Sequence, residues 1–206
     1  MTPVRVKVCG ITRIEDAALA VRLGADAIGF VLWDRSPRFV DPAAASAIAS
    51  QLPPFITRVG VVVNQSVERV ADFVAQAGLD VVQLHGDESL APYRAASRRL
   101  VRAMAIESAD DVVAALETPS DVTILADAAD KTRRGGTGLR ANWQLAAEVA
   151  RRRPLILAGG LTAENVGEAI ACVRPWAVDV SSGVEASPGV KSAERMEAFF
   201  AAVEMS

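Results

Sequence analysis

Short apolar runs rich in β-branched residues alternate along the chain with longer alanine-rich segments whose apolar residues recur at helical spacing. Eight of the short runs have the length and composition of buried strands, namely residues 5–9, 27–33, 58–63, 81–84, 100–106, 123–127, 155–158 and 177–180. The helical segments are residues 14–23, 42–51, 67–76, 89–96, 109–116, 143–151, 163–173 and 193–203. This strict order of strand then helix predicts a parallel sheet with helices packed on it.

Eight such units can close into a (β/α)8 barrel, so the 206 residues are predicted to form a single TIM-barrel domain of near-minimal length. An open doubly wound sheet is the alternative, but no long linker divides the chain. Residues 41–42 have the form of a helix N-cap followed by a first-turn proline. The stretches 24–26 and 78–80, both glycine, hydrophobe and aspartate, repeat one helix-to-strand turn and place a glycine at a helix end.

Composition and charge narrow the possible partners. The chain has 51% hydrophobic residues, a formal net charge of -3 and a calculated isoelectric point of about 5.3, so we expect neither nucleic acid nor a membrane as a partner. The N-terminus does not have the form of a signal peptide, and Cys9 and Cys172 lack the spacing of a zinc site. We therefore expect a cytoplasmic protein without a metal site. A monomer and a homodimer both stay open.

Polar residues stand where the predicted strands end, which is the end at which TIM barrels carry their chemistry. They are Cys9, Asn64, His85, Asp127, the pair Gly159-Gly160, Asp179 and the run Ser181-Ser182-Gly183. Alternation along a strand places Lys7 on the same face as Cys9, and Gln83 on the same face as His85. If those faces point inward, four side chains converge on one mouth of the barrel: Cys9, His85, Asp127 and Asp179.

Turns that contain glycine follow the last two predicted strands, where barrels often bind phosphate through backbone N–H groups. Gly159-Gly160 follows the seventh strand and Ser182-Gly183 follows the eighth. Either turn alone is explained by a tight bend, but their occurrence at both expected loops favours a phosphate site. The segment 135–138 (GGTG) is not a Walker loop, because no Gly-Lys-Ser/Thr follows it. It is a candidate lid whose glycines act as hinges.

Each polar residue also has a purely structural explanation. A lone cysteine such as Cys9 is usually a small buried hydrophobe. Asp127 and Asp179 have the position of helix N-caps, and His85 can bridge backbone groups. Lys7 is harder to explain in this way, because an inward ammonium needs a carboxylate partner. The sequence offers two candidates for that partner, Asp127 and Asp179.

Taken in order, these motifs resemble the phosphoribosylanthranilate isomerase family over essentially the whole chain. The matching segments are 7–12 (KVCGIT), 29–31 (GFV), 36–40 (SPRFV), 59–64 (VGVVVN), 82–86 (VQLHG), 124–127 (ILAD), 135–138 (GGTG), 157–161 (LAGGL), 164–166 (ENV) and 178–185 (VDVSSGVE). Single segments are weak evidence, whereas this order and spacing are highly specific.

The resemblance implies a cofactor-free rearrangement of an aminoaldose, N-(5-phosphoribosyl)anthranilate, into an aminoketose, 1-(2-carboxyphenylamino)-1-deoxyribulose 5-phosphate, in tryptophan biosynthesis. It implies Cys9 as general base, Asp127 as general acid and Arg38 as the group that faces the anthranilate carboxylate. The expected phosphosugar-binding residues are His85, Gly136, Gly159, Gly160, Asp179, Ser182 and Gly183. The chemistry agrees, since ring opening needs a proton donor and C2–H removal needs a thiolate, which a cation such as Lys7 would favour.

Two loops depart from the family pattern, and two other functions stay open. Residues 33–35 and 138–143 differ from the family's usual second and sixth loops, although Asn142 can still cap a helix. The first alternative is the histidine-pathway isomerase, or a dual-substrate form, but that enzyme uses an aspartate where Cys9 stands. The second is a catalytically silent barrel that binds a phosphorylated ligand, against which the joint presence of Cys9, Asp127 and Arg38 argues.

Overall fold

Eight parallel strands close into a barrel in the computed structural model, which describes residues 4–96, 99–128 and 141–206. The strands are β1 (Arg5–Cys9), β2 (Ala27–Val31), β3 (Thr57–Val62), β4 (Val81–Leu84), β5 (Leu100–Ala105), β6 (Val122–Asp127), β7 (Leu155–Leu157) and β8 (Ala177–Val180). Each strand pairs with its neighbour in chain order, and β1 pairs with β8 to complete the circle. The predicted barrel is therefore confirmed and the open sheet is excluded.

The helices pack outside the barrel and start and end close to the predicted residues. They are α1 (Ile14–Arg22), α2 (Pro42–Ala49), α3 (Val67–Ala77), α4 (Leu90–Ala96), α5 (Ala109–Glu117), α6 (Trp143–Ala150), α7 (Val166–Val173) and α8 (Ala193–Glu204). The start of α7 is later than predicted, because the Asn165 side chain accepts from the Thr162 N–H and donates to the Gly160 carbonyl, which folds the preceding residues into a turn. None of the helices in the described ranges has both the length and the apolar character needed to cross a bilayer.

The repeated glycine-hydrophobe-aspartate turn makes the same contacts at both places. Asp26 donates its backbone N–H to the Val6 carbonyl, and its carboxylate accepts from the Val6 N–H at 2.8 Å. Asp80 pairs in the same way with the backbone of Arg58, here at 2.9 Å. Gly78 adopts a φ of 60°, a left-handed conformation that favours glycine. Each aspartate therefore fastens the start of its own strand to the strand before it in the barrel.

Two helices begin with the side-chain caps that the sequence predicts. The Asp41 carboxylate accepts from the N–H groups of Ala43 and Ala44 at the start of α2. The Asn142 side chain accepts from the Leu145 N–H at the start of α6. A cap of this kind contributes about 1 kcal/mol to stability, because it satisfies N–H groups that have no partner within the helix.

Apolar side chains fill the barrel from the inside as well as coating its outer face. The interior cluster consists of Val59, Val81, Val101, Ala103, Leu125, Ile156, Ala158 and Ala177. The largest fully buried side chains in the layer between strands and helices include Phe30, Phe199, Ile28, Leu155 and Met196. The interior is therefore packed and is not a pore, and the cavity at the carboxyl ends of the strands is the one lined by the predicted site residues.

A short hairpin follows β8 that the hydrophobic pattern does not predict. After a 3-10 turn at Ser182–Val184, two antiparallel strands form, β9 (Glu185–Ser187) and β10 (Val190–Lys191). Strands this short contain too few residues for an alternating pattern to be detected. The hairpin buries Glu185 and Lys191 at only 5% and 4% exposure, although these residue types are rarely buried unless they are paired.

Candidate active site

Strand β1 carries Lys7 and Cys9 on its inward face. Lys7 lies opposite Asp179 in the pairing of β1 with β8, and its Nζ lies 2.8 Å from the Oδ2 of that carboxylate. Cys9 lies opposite Gly29 of β2, where an added Cβ would come within 2.8 Å of the Cys9 Sγ and 3.2 Å of the Lys7 Cε. Only a glycine at residue 29 leaves room for thiol and ammonium side by side. Of the two carboxylates that the sequence offered to Lys7, the fold selects Asp179.

Burial and the neighbouring charges shift the pKa values of Cys9 and Lys7 in opposite directions. Burial raises the pKa of the Cys9 thiol, and the ammonium groups of Lys7 and Lys191 offset that effect only in part. Burial on its own would lower the pKa of Lys7, but Asp179 and Cys9 raise it above its usual value. Lys7 therefore keeps its charge, and Cys9 stays a thiol until a further positive charge comes close to it.

Strands β4 and β6 supply a second polar group across the mouth. The Nε2 of His85 lies 3.1 Å from the Oδ2 of Asp127, whose Oδ1 accepts from the Ala128 N–H at 2.8 Å. On the other side of the ring, the Nε2 of Gln83 lies 3.0 Å from the Nδ1 of His85. The His85 ring therefore lies between Gln83 and Asp127, with one ring nitrogen directed at each of them.

Two buried oxygen atoms at the mouth accept no hydrogen bond from any described residue. They are the Oε1 of Gln83 and the Oδ1 of Asp179. Both side chains line the cavity, and leaving a buried acceptor unsatisfied costs about 1–3 kcal/mol. Such atoms are suited to accept hydrogen bonds from the hydroxyl groups of a ligand.

The two glycine turns pack against neighbouring backbone at positions where a side chain would collide. Gly159 and Gly160 have φ values of 83° and 62°, both in the left-handed region. A Cβ on Gly159 would lie 2.6 Å from the Ala128 nitrogen, and one on Gly183 would lie 1.9 Å from the Leu161 oxygen. Gly183 therefore lets the turn after β8 pack on the turn after β7, and Gly159 lets the turn after β7 pack on the end of β6.

Arg38 lies on the loop between β2 and α2 and is held by a carboxylate of the hairpin. Its Nε and Nη2 donate to the two oxygens of Glu185 at 2.8 Å and 2.6 Å. Gly10 lies beneath it, since a Cβ there would come within 2.7 Å of the Arg38 Cδ. The pair with Glu185 uses one edge of the guanidinium. No described residue accepts from Nη1, so the other edge, formed by Nη1 and Nη2, is available to a ligand.

One cavity joins all of these groups. Its polar lining consists of Cys9, Ser36, Arg38, Gln83, His85, Asp127, Asp179, Ser181 and Ser182 together with the glycines of the two turns, Gly159, Gly160 and Gly183. Its apolar lining consists of Val31, Trp33, Val61, Val63, Ala158 and Leu161. The arrangement offers a thiol, a carboxylate, a guanidinium edge and two close turns to a single small molecule.

Comparison with known proteins decides which family the chain belongs to. Residues 6–202 match the family model described as N-(5'-phosphoribosyl)anthranilate (PRA) isomerase. This chain belongs to that family. It is 47% identical over 204 residues to the N-(5'-phosphoribosyl)anthranilate isomerase of Pseudomonas fluorescens, which covers 98% of this chain and 100% of the relative. The enzyme of the same name from Geobacter sulfurreducens is 47% identical over 199 residues, which covers 95% of this chain and 96% of the relative.

Solved structures of the phosphoribosylanthranilate isomerase family have the same barrel. The enzyme from Thermotoga maritima superposes with a TM-score of 0.91 at 40% identity, covering 98% of this chain and 100% of that one. A second family structure, in complex with reduced 1-(o-carboxyphenylamino)-1-deoxyribulose 5-phosphate, gives a TM-score of 0.87 at 40% identity, covering 98% of this chain and 100% of that one. The resemblance read from the motifs is thereby confirmed at the level of family and fold.

Nine of the ten predicted site residues line the one cavity: Cys9, Arg38, His85, Asp127, Gly159, Gly160, Asp179, Ser182 and Gly183. Gly136 and the candidate lid at residues 135–138 lie outside the described residues. Within the described ranges, Asp127 contacts His85 and Asp179 pairs with Lys7, and neither carboxylate caps a helix. Cys9 is buried and also lines the cavity, so its burial does not decide between the structural and the functional explanation.

Glu185, which bonds Arg38, and Lys191, which bonds Glu185, have no role that could be predicted from the sequence. Glu185 stands in a family motif, but nothing in its local sequence shows that it bonds Arg38, 147 residues away. Lys191 lies in the unpredicted hairpin and carries no motif, yet its Nζ donates to the Cys9 carbonyl across 182 residues. An unusual burial of charge is the only signal for these residues, and it is visible only in the fold.

Proposed function

We propose that this chain converts N-(5-phosphoribosyl)anthranilate into 1-(2-carboxyphenylamino)-1-deoxyribulose 5-phosphate in the tryptophan pathway. The observation that carries the proposal is that Cys9 and Asp127, from β1 and β6, face one cavity that also contains Arg38 and both glycine turns. Family membership and the names of the relatives support the same reaction.

Asp127 is placed to protonate the ring oxygen of the sugar. Proton transfer to that oxygen breaks its bond to C1, and the nitrogen lone pair forms the C1–N double bond of an iminium. The His85 Nε2 lies 3.1 Å from the Asp127 Oδ2, so His85 is within hydrogen-bond distance of the proposed acid and orients it at the cavity wall.

Cys9 is placed to remove the hydrogen from C2 of the iminium. Loss of that proton moves the C2–H electron pair into a C1–C2 double bond and discharges the iminium, which gives an enolamine. Return of a proton to C1 and loss of the C2 hydroxyl proton then give the aminoketose. The iminium charge favours a thiolate beside it, which opposes the rise that burial causes in the pKa of Cys9.

The two anionic ends of the substrate have separate partners in the cavity. The free Nη1 and Nη2 edge of Arg38 suits the planar anthranilate carboxylate, while the glycine turns at Gly159-Gly160 and Ser182-Gly183 suit the phosphate. The unsatisfied oxygens of Gln83 and Asp179 belong to side chains that line the same cavity and suit the sugar hydroxyls. The expected ligand is therefore a phosphorylated sugar derivative. We expect the reaction to take place in the cytoplasm and to need no cofactor.

The histidine-pathway isomerase is the alternative that the experiment must exclude. The purified protein is mixed with freshly prepared phosphoribosylanthranilate, and the loss of the substrate's fluorescence is followed. We expect rapid loss of fluorescence with wild type and with Cys172→Ala. Cys172 is an exposed cysteine of α7, so its variant is the matched control for any substitution of Cys9. Absence of turnover, or faster turnover of the histidine-pathway substrate, would contradict the proposal.

A further inference from the structure

Lys191 is a buried cation that forms hydrogen bonds with the end of β1, with the residue after β8 and with the hairpin. Its Nζ donates to the Cys9 carbonyl at 2.6 Å, to the Ser181 carbonyl at 3.1 Å and to the Glu185 Oε1 at 2.9 Å. Its side chain is 0% exposed. An uncharged amine has only two N–H groups, so three acceptors require the ammonium form. Burial lowers the pKa of Lys191, but the Glu185 carboxylate opposes the loss of its proton.

The net charge of the cluster formed by Arg38, Glu185 and Lys191 determines how strongly it attracts a bound carboxylate. Arg38 and Glu185 alone form an ion pair without net charge, joined by two hydrogen bonds. Addition of the Lys191 ammonium gives the cluster one net positive charge. Arg195 also bonds the backbone oxygen of Glu185, but it is exposed, so water screens its charge. The neighbouring pair of Lys7 and Asp179 is balanced by itself.

We propose that Lys191 is a positioning residue for the reaction, which acts through Glu185 to keep Arg38 oriented and the cluster positive toward the substrate carboxylate. This inference rests on the proposed function, because it assigns the free edge of Arg38 to that carboxylate. Without Lys191, an anion would approach a neutral pair, and Coulomb attraction over a few ångströms in a half-buried site would be lost. Lys191 itself does not line the cavity.

The same ammonium holds the backbone that carries the proposed base. By bonding the carbonyls of Cys9 and Ser181, it ties the end of β1 to the end of β8. The backbone N–H of Lys191 donates in turn to the buried Asp16 of α1, which Arg13 also bonds through two nitrogens. Small displacements of a catalytic atom lower rates strongly, so this second role should appear in kcat and not in ligand affinity.

A pair of variants separates the charge from the packing. Lys191→Met leaves Arg38 and Glu185 as a neutral pair, whereas Lys191→Met/Glu185→Gln restores one positive charge, that of Arg38. An amide oxygen at residue 185 can still accept from Arg38. The probes are the reduced product analogue, which carries a carboxylate and a phosphate, and inorganic phosphate. Inhibition constants and kcat are measured for both variants and for Arg38→Met.

We expect Lys191→Met to weaken the analogue about 10-fold, the range of a lost charge-assisted interaction, and to leave inhibition by phosphate unchanged. The double variant should recover affinity for the analogue while its kcat stays low, because the Cys9 and Ser181 carbonyls still lack their donor. A purely structural Lys191 predicts instead that the double variant binds the analogue as weakly as the single one, which would overturn the charge assignment. Recovery of kcat would overturn the anchoring role.

Two controls keep the outcome decisive. Arg153→Met removes a cation that is partly buried and bonds four backbone carbonyls at the opposite end of the barrel, and it should leave both inhibition constants unchanged. If Lys191→Met fails to fold, the double variant still tests the charge, since removing both partners of a buried pair is tolerated better than removing one. If Arg38→Met fails to weaken the analogue selectively, the assignment of Arg38 to the substrate carboxylate is wrong, and the charge role of Lys191 falls with it.

Discussion

The two ends of the barrel use charged residues in opposite ways. At the carboxyl end, Lys7, Asp179, Glu185 and Lys191 are almost completely buried and bond one another or the cavity wall. At the amino end, charged residues are partly exposed and bond backbone groups. Asp26 and Asp80 fasten neighbouring strands, and the guanidinium of Arg153 donates to the carbonyls of Ala115, Thr118, Pro119 and Val122.

From this difference we infer which charges serve stability and which serve the reaction. Burial of an ion pair costs desolvation that the attraction between its members often fails to return, so a cluster of buried ions is weak evidence for stability. Partly exposed ions that satisfy backbone groups cost less and close the turns between helices and strands. We therefore expect substitutions at the carboxyl end to lower activity, and substitutions at the amino end to lower stability alone.

The largest expected effect is on turnover at the carboxyl end. Cys9→Ala and Asp127→Asn should each reduce kcat by about 10²–10⁴-fold, the usual contribution of a general base or acid, with little change in unfolding temperature. Steady-state kinetics and thermal unfolding of the two variants test this expectation. Near-normal turnover in either variant would refute the role assigned to that residue.

Lys7→Met should affect both activity and stability. It leaves Asp179 buried without its ammonium, which costs roughly 3–5 kcal/mol, and it removes a charge that lowers the pKa of the Cys9 thiol. The limb of the pH–rate profile that reports deprotonation of the base should therefore move to higher pH. The companion variant Lys7→Met/Asp179→Asn should regain stability but not activity. An unchanged pH profile in Lys7→Met would show that the Lys7 ammonium does not influence the pKa of the base.

Arg153→Met should lower stability at the amino end without affecting the reaction. Four backbone carbonyls lose a cationic donor, and we expect a loss of roughly 2–3 kcal/mol in the free energy of unfolding. Denaturant titration measures the loss, and kcat/KM at low temperature should match that of wild type. A drop in kcat/KM larger than the drop in folded protein would show that the two ends are coupled.

The smallest effect is expected for the surface pair of Asp80 and Arg58. The guanidinium of Arg58 lowers the pKa of Asp80 below its ordinary value, so the stabilisation is complete above about pH 4 and is lost as the pH falls through the lowered value. Because both side chains are more than one third exposed, solvent screening limits the loss in Asp80→Asn to about 1 kcal/mol or less. Denaturation of both proteins at pH 7 and below pH 4 should show the difference narrowing in acid. A constant difference would show that ionisation of Asp80 does not contribute to the stabilisation.

The sequence by itself determined the features that depend on neighbours along the chain. Strand and helix periods, the capping aspartate at Asp41 and the paired turns before β2 and β4 are local, and the structure has them as predicted. The convergence of Cys9, His85, Asp127 and Asp179 also followed from the sequence. In a closed parallel barrel every strand ends at the same mouth, so a position at the end of a strand is already a position in the site.

Only the tertiary structure decided which charges pair. Lys7 had two possible carboxylates, and the register of β1 against β8 placed Asp179 opposite it. The bonds that link Lys191, Glu185 and Arg38 span loops and strands from both ends of the chain, and no local pattern specifies them. The physical reason is that a side chain a few ångströms long meets only the partners that strand register and loop path bring to it, and both are fixed when the barrel closes.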